Sequence, residues 1–236
     1  HDLSTKPVDV VIVAGEGHAG LGRRLKALEA KYGILAPASL YISKRPANLK
    51  EAQDAKWIAD TIKDTCPNPG LIIIDTLHRN MNGDENSSQD IGHFIANLDV
   101  YFKPLGAAVL VVHHSGHGQK DRSRGSSSIR AAMDAEFCVT KEGMTSVLSC
   151  TKSKDFEGGS DVRFGIKQVE LDWLGDEGLP LTSVYLDYVG EAKQAIKKEK
   201  LSIRDEAILT SLSDALEEYG VEPPAEIKTK FGFDSL

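Results

Sequence analysis

Three stretches of the chain place a carboxylate or an imidazole directly after an apolar run. Leu71-Ile72-Ile73-Ile74 stops on Asp75 and continues Thr76-Leu77-His78-Arg79; Val8 to Val13 leads into Ala14-Gly15-Glu16-Gly17-His18; Gly106 to Val112 ends on His113-His114-Ser115-Gly116-His117. Short runs rich in β-branched residues read as strands buried on both faces, so each polar residue leaves a strand at its carboxyl end. Open α/β sheets bind ligands at that end. An aspartate there has the form of a carboxylate that holds a nucleotide's Mg²⁺ directly or through a water, and a glutamate there can polarise a water. Each has a structural rival. Asp75 could cap the next helix, Glu16 could be an acid favoured by a helix start, and the histidines could fill a polar niche. Gly15, Gly17 and Gly20 fit neither GxxxxGK[ST] nor GxGxxG, so they do not make a phosphate loop.

The intervening segments supply the elements that would position these residues. A helix is expected from about Leu21 to Tyr32, with Leu21, Leu25 and Leu28 on one face, then a short strand from Ala38 to Ile42. Leu49 to Thr65 has helical spacing, and Ser87 or Ser88 could cap a helix running to Phe102, after a polar loop from Asn80 to Gln89. Gly106 to Val112 is expected to be fully buried. Strands alternating with helices imply a parallel sheet covered by helices.

Gly118 to Ser128 is polar and basic, and a short helix is expected from Ser128 to Ala135. From there the pattern becomes antiparallel: a hairpin of Glu136–Thr140 and Thr145–Cys150, then strands Val162 to Leu171 and Thr182 to Tyr188. Glu191 to Lys200 reads as a charged linker, and Arg204 to Tyr219 as an amphipathic helix before Pro223-Pro224. The expected class is therefore α/β: a core over residues 1–190 with antiparallel strands at its C-terminal side, and a small helical tail over 191–236.

With 236 residues and 41% hydrophobic content the chain can bury a sizeable core. No run approaches the roughly 18 apolar residues of a membrane span, and His1 to Lys6 has no apolar signal core, so a cytoplasmic location is expected. Cys66, Cys138 and Cys150 lack CxxC spacing, which argues against a disulfide framework or a zinc knuckle. A net charge of −7 argues against a protein coated in nucleic acid, while leaving room for a local basic path from Lys120 to Arg130. The sequence has no initiator Met and ends at Phe231 to Leu236 without a clear stop, which suggests a fragment of a longer protein.

Taken as a set, Val13-Ala14-Gly15-Glu16-Gly17-His18, Ile73-Ile74-Asp75-Thr76-Leu77, Val111-Val112-His113-His114-Ser115-Gly116 and Arg124-Gly125-Ser126-Ser127-Ser128-Ile129-Arg130 resemble the RecA-like ATPases, specifically RepA-type hexameric replicative helicases of plasmids and phages. The resemblance spans about Val8 to Val169. It implies a RecA-like core, ATP and Mg²⁺ as cofactors, single-stranded DNA as partner and a homo-oligomer, a hexameric ring in the full-length protein, with no membrane role. Glu16 would be the general base, Asp75 would hold the Mg²⁺ shell, with Thr76 and His113 beside it on the nucleotide, and His114, with His113, would sense the γ-phosphate. Lys120, Arg122 and Arg124 would contact DNA phosphates, and Lys152 and Lys154 would act in trans on a neighbouring subunit's nucleotide. Lys152 and Lys154 also fit a solvated strand end, and Arg130 a structural ion pair.

The sequence departs from that family in one respect: it contains no GxxxxGK[ST], which the family carries on the strand before the Val8 strand. Without it the β- and γ-phosphates lose their backbone cradle and lysine. Two other readings stand beside the helicase or translocase one. In a metallohydrolase, Asp75, His113, His114 and His117 would bind Zn²⁺ or Mn²⁺. In a non-catalytic fragment the remaining role would be DNA binding or assembly. The 191–236 tail weakly resembles the start of a winged-helix module.

Overall fold

The computed structural model describes residues 6–33, 39–114, 127–156 and 158–192. The chain divides into two compact units, His1–Lys193 and Gln194–Leu236, and every described residue belongs to the first. The expected loop carrying Lys120, Arg122, Arg124 and His117 lies outside the described residues, as do the expected linker and tail helix.

The N-terminal half alternates strands and helices: β1 (Asp9–Ala14), α1 (His18–Tyr32), β2 (Leu40–Ile42), α2 (Ala52–Thr65), β3 (Pro69–Asp75), α3 (Ser88–Asn97) and β4 (Ala108–Val112). The four strands form one parallel sheet in the order β2-β1-β3-β4. Right-handed crossovers put α1 on one face and both α2 and α3 on the other. The α2/α3 face holds the core: Val11, Val13, Ile72 and Ile74 of the strands pack with Ile58, Ala59 and Ile62 of α2 and with Ile91, Phe94 and Phe102.

Burial on both faces, expected for all three runs, holds only in part. In β3, Ile72 and Ile74 are fully buried while Leu71 and Ile73 are half-buried. In β4 the departure is larger. Val109 and Val111 pack on the core, but Ala108 is exposed and Leu110 is 46% exposed. β4 is the last strand of this sheet among the described residues, so its second face lacks the cover that α1 gives nearer β1.

Helix limits also shift for local reasons. α2 begins at Ala52, because Leu49 is spent in the preceding turn, fully buried with its N–H donating to the Asn80 carbonyl at 2.8 Å. α3 is capped by Ser87, whose hydroxyl accepts from the Asp90 N–H. It stays α-helical only to Asn97, continues as a π-helical turn over Leu98–Phe102, and tightens to a 3₁₀ turn over Lys103–Leu105, where Pro104 cannot donate.

The C-terminal half opens with α4 (Ser127–Ala132) and continues as an antiparallel sheet in the order β5-β6-β7-β8: β5 (Ala135–Glu142), β6 (Thr145–Ser153), β7 (Asp161–Leu174) and β8 (Pro180–Ala192). Helix α1 docks against the last two strands. The Tyr32 hydroxyl donates to the Leu186 carbonyl at 2.9 Å, Tyr32 meets the Tyr185 ring edge-on at 6.3 Å, and Lys26 lies 3.5 Å from Asp172. No helix among the described residues is long and apolar enough to cross a membrane.

Candidate functional site

Register brings the predicted residues to one edge of the parallel sheet. Ala14 of β1 pairs with Asp75 of β3, and Asp75 pairs with Val112 of β4, so Gly15-Glu16, Thr76 and His113-His114 leave the sheet side by side. Two bonds tighten this edge beyond the ladder: the Gly15 N–H donates to the Asp75 carbonyl at 2.6 Å, and the Leu77 N–H to the Val112 carbonyl at 2.8 Å.

Each residue then has a distinct environment. Asp75 is half-buried at the strand end. Thr76 is 4% exposed, and its Oγ1 is buried with no hydrogen-bond partner among the described residues. Glu16 is exposed and pairs with Arg79, whose Nε donates to Glu16 Oε2 at 2.9 Å. His113 is held inward, its side chain 10% exposed, whereas His114 is exposed.

The turn after Asp75 is fixed by Asn80, which no pattern in the sequence singles out. Its side chain is fully buried: Oδ1 accepts from the Ala47 N–H at 2.9 Å, and Nδ2 donates to the Thr76 carbonyl at 3.0 Å and the Val13 carbonyl at 3.3 Å. One amide thus ties the ends of β1 and β3 to the 47–49 segment. Ser43 adds a second tie, its Oγ accepting from the Ala14 N–H at 2.9 Å, while its carbonyl lies 2.9 Å from His18 Nε2.

The 81–87 loop is more ordered than its polar composition suggests. Asp84 accepts from the Asn86 backbone N–H at 2.8 Å, and that bond holds the Asp84 carboxyl below its ordinary range. The Asp84 N–H in turn donates to Asp90 at 2.8 Å. These local turns bury Glu85 to 8% exposure, with Oε2 3.9 Å from His113 Nδ1 and 3.8 Å from His78 Nδ1. Beside it lies an open cleft of about 540 Å³, lined by Asn48, Asp54, His78, Arg79 and Asn82 among others.

Lys152 and Lys154 sit elsewhere. The Lys152 ammonium donates to the carbonyls of Arg130, Ala131 (3.2 Å) and Met133 (2.8 Å). Lys154 donates to the Ala132 carbonyl at 3.3 Å and to Asp134 at 3.0 Å. Both therefore satisfy carbonyls at the end of α4, where a cation also meets the negative end of the helix dipole. They are not solvated strand-end residues, and in this chain they are engaged locally rather than presented outward. Arg130 is likewise structural, pairing with Glu136 at 3.0 Å and donating to the Thr151 carbonyl at 2.8 Å.

The donor set at the sheet edge fits a hard cation: Asp75 offers carboxylate oxygens and Thr76 an unpartnered buried hydroxyl. A cradle for phosphates is absent from these 236 residues, which hold no GxxxxGK[ST]. Among the described residues no group of three or more His, Cys, Asp or Glu side chains is placed to hold a metal ion, so the metallohydrolase set of Asp75, His113 and His114 does not converge there; its fourth member, His117, lies outside them.

A family model for an AAA domain matches residues 1–120 of the chain, a span that includes Glu16, Asp75, Glu85 and both histidines. The chain belongs to this AAA domain family. Among solved structures, the AAA domain and its C-terminal strands are similar to the crystal structure of the RadB recombinase at 16% identity, covering 68% of this chain and 76% of that one with a TM-score of 0.49. No curated protein matches.

Proposed function

We propose that this AAA domain is the RecA-like core of an ATP-driven motor that acts on DNA, of the RepA-type helicase or translocase class. The observation that supports it most is the register that sets Glu16, Asp75 and His113-His114 on three adjacent strand ends. Asp75 and Thr76 hold the Mg²⁺ of the nucleotide through oxygens. Glu16 orients the attacking water as general base once Arg79 releases it. His114 meets the γ-phosphate and passes its state to the segment that follows, where Lys120, Arg122 and Arg124 contact single-stranded DNA phosphates.

The phosphate-binding loop in this reading comes from outside these 236 residues. It must reach Asp75 and His113 together, which places its strand along the outer edge of β4. Lys152 and Lys154 act in trans in a homo-oligomer, a hexameric ring, only after leaving the α4 carbonyls. Residues 1–190 form the motor core in the cytoplasm, and 191–236 a linker and the start of a winged-helix module.

The roles of the two carboxylates separate in a nucleotide-binding assay on the protein that carries the loop. Glu16→Gln should retain Mg²⁺-dependent ATP binding and lose turnover by about 10²-fold or more, whereas Asp75→Ala should lose the Mg²⁺ dependence of binding itself. Unchanged turnover in Glu16→Gln would remove the assignment.

A further inference from the structure

Past Val112 the sheet ladder ends, yet the two histidines that follow must be held if they are to report on a ligand. Val112 is the last residue of β4 with a partner in β3, and the Leu77 N–H takes its carbonyl. Beyond it, His113 turns inward to Glu85 while His114 is exposed.

Glu85 is unusual in its setting. A carboxylate in a seven-residue polar loop would ordinarily be solvated, and burying it costs free energy unless partners stabilise its charge. Here it is 8% exposed, enclosed by the turns of Asp84 and Asn86, with one oxygen 3.9 Å from His113 Nδ1 and 3.8 Å from His78 Nδ1. His78 belongs to the turn just after Asp75, and His113 to the strand end beside it. A single buried oxygen therefore faces an imidazole from each of the two elements that carry the site.

We propose that Glu85 is the positioning residue of this edge: its carboxylate draws the His113 proton onto Nδ1, fixes the ring, and links the sensor strand to the turn after Asp75 through His78. The proposal rests on the motor reading for its purpose, since a fixed His113 leaves the encounter with the γ-phosphate to its neighbour His114. Its physical content is independent of that reading. An isolated imidazole has no carboxylate to choose between its nitrogens, and a partner on Nδ1 decides which of them carries the hydrogen. A carboxylate in that position also orients the ring, as second-shell carboxylates do for ligating histidines. A glutamine at 85 keeps the volume but can donate to Nδ1 instead of accepting from it, which reverses the preference.

The test is the tautomer of His113, read from imidazole ¹⁵N spectra of the full chain and assigned by the signal missing in His113→Gln. The wild-type ring should carry its proton on Nδ1, and Glu85→Gln should move the tautomer ratio toward Nε2–H by about tenfold or more. Should Glu85→Gln fail to fold, the wild-type spectrum decides alone. A wild-type ring protonated on Nε2, or a ratio unchanged in a folded Glu85→Gln, overturns the proposal. In the protein carrying a phosphate loop, Glu85→Gln should also lower kcat about tenfold with little change in KM for ATP. If no ATP turnover is found in the wild type, the motor reading falls while the tautomer result still stands or falls by itself.

Discussion

Arg79 and Glu16, 63 positions apart in sequence, meet in an ion pair of 2.9 Å between Nε and Oε2, at the mouth of the sheet edge. The pair is half-exposed on both sides, so its weight in folding is small, within about 1 kcal/mol. Its place matters more than its strength. The guanidinium occupies an oxygen that an activated water would need, so Glu16 is held in reserve in the isolated chain. Arg79→Ala should leave the melting temperature within about 3 °C of wild type and raise DNA-independent ATP turnover in the loop-bearing protein. A large loss of stability, or lower basal turnover, would show that Arg79 serves the site rather than restraining it.

Gly15 is the hinge of that arrangement. A Cβ at this position would collide with Arg79 Cβ, an atom close to the backbone that cannot swing aside. Gly15→Ala should therefore cost about 1–3 kcal/mol and break the Glu16–Arg79 pair, measurable by urea denaturation and by loss of any further effect of Arg79→Ala in the double variant. Additive effects of the two substitutions would contradict the contact.

Asn80 carries the larger structural share. Asn80→Ala leaves the Ala47 N–H and the Val13 and Thr76 carbonyls without their partner in a buried setting, and should destabilise the chain by about 3 kcal/mol with an unchanged m-value. A loss below about 1 kcal/mol would mean that water or a neighbour replaces the amide.

These side chains mark where the sequence is legible and where it is not. Periodicity locates β1, β3, α2 and α3 because burial of one face repeats at fixed spacing, and the strand-end position of Asp75 follows from an apolar run that stops on it. The same reasoning fails for β4, since a continuous apolar run looks alike whether one face or two are covered. Asn80 and Glu85 lie in a stretch whose composition reads as a solvated loop; their burial depends on Asx turns and on the approach of β1 and β4, which no local pattern encodes. Lys152 and Lys154 alternate on a strand end in sequence, but only the fold reveals the helix end that they satisfy.

Cysteine chemistry offers an independent check of the core. Cys66 is fully buried, and burial, then the nearby Asp9 carboxylate, push its thiol up from its ordinary range. Cys138 and Cys150 are only half-buried. Alkylation of the native chain should label those two well before Cys66, which should react only as the chain unfolds. Early labelling of Cys66 would contradict the packing of α2 against β1 and β3.

The central claim is that the edge formed by Glu16, Asp75 and His114 turns over ATP in response to DNA. ATP hydrolysis, with and without single-stranded DNA, on this chain and on the protein extended upstream through its reading frame, tests it most directly. The account predicts negligible turnover from the 236 residues alone and DNA-stimulated turnover from the extended protein, lost in Glu16→Gln. An extended protein that holds a phosphate loop, binds ATP and shows no turnover with DNA would contradict it.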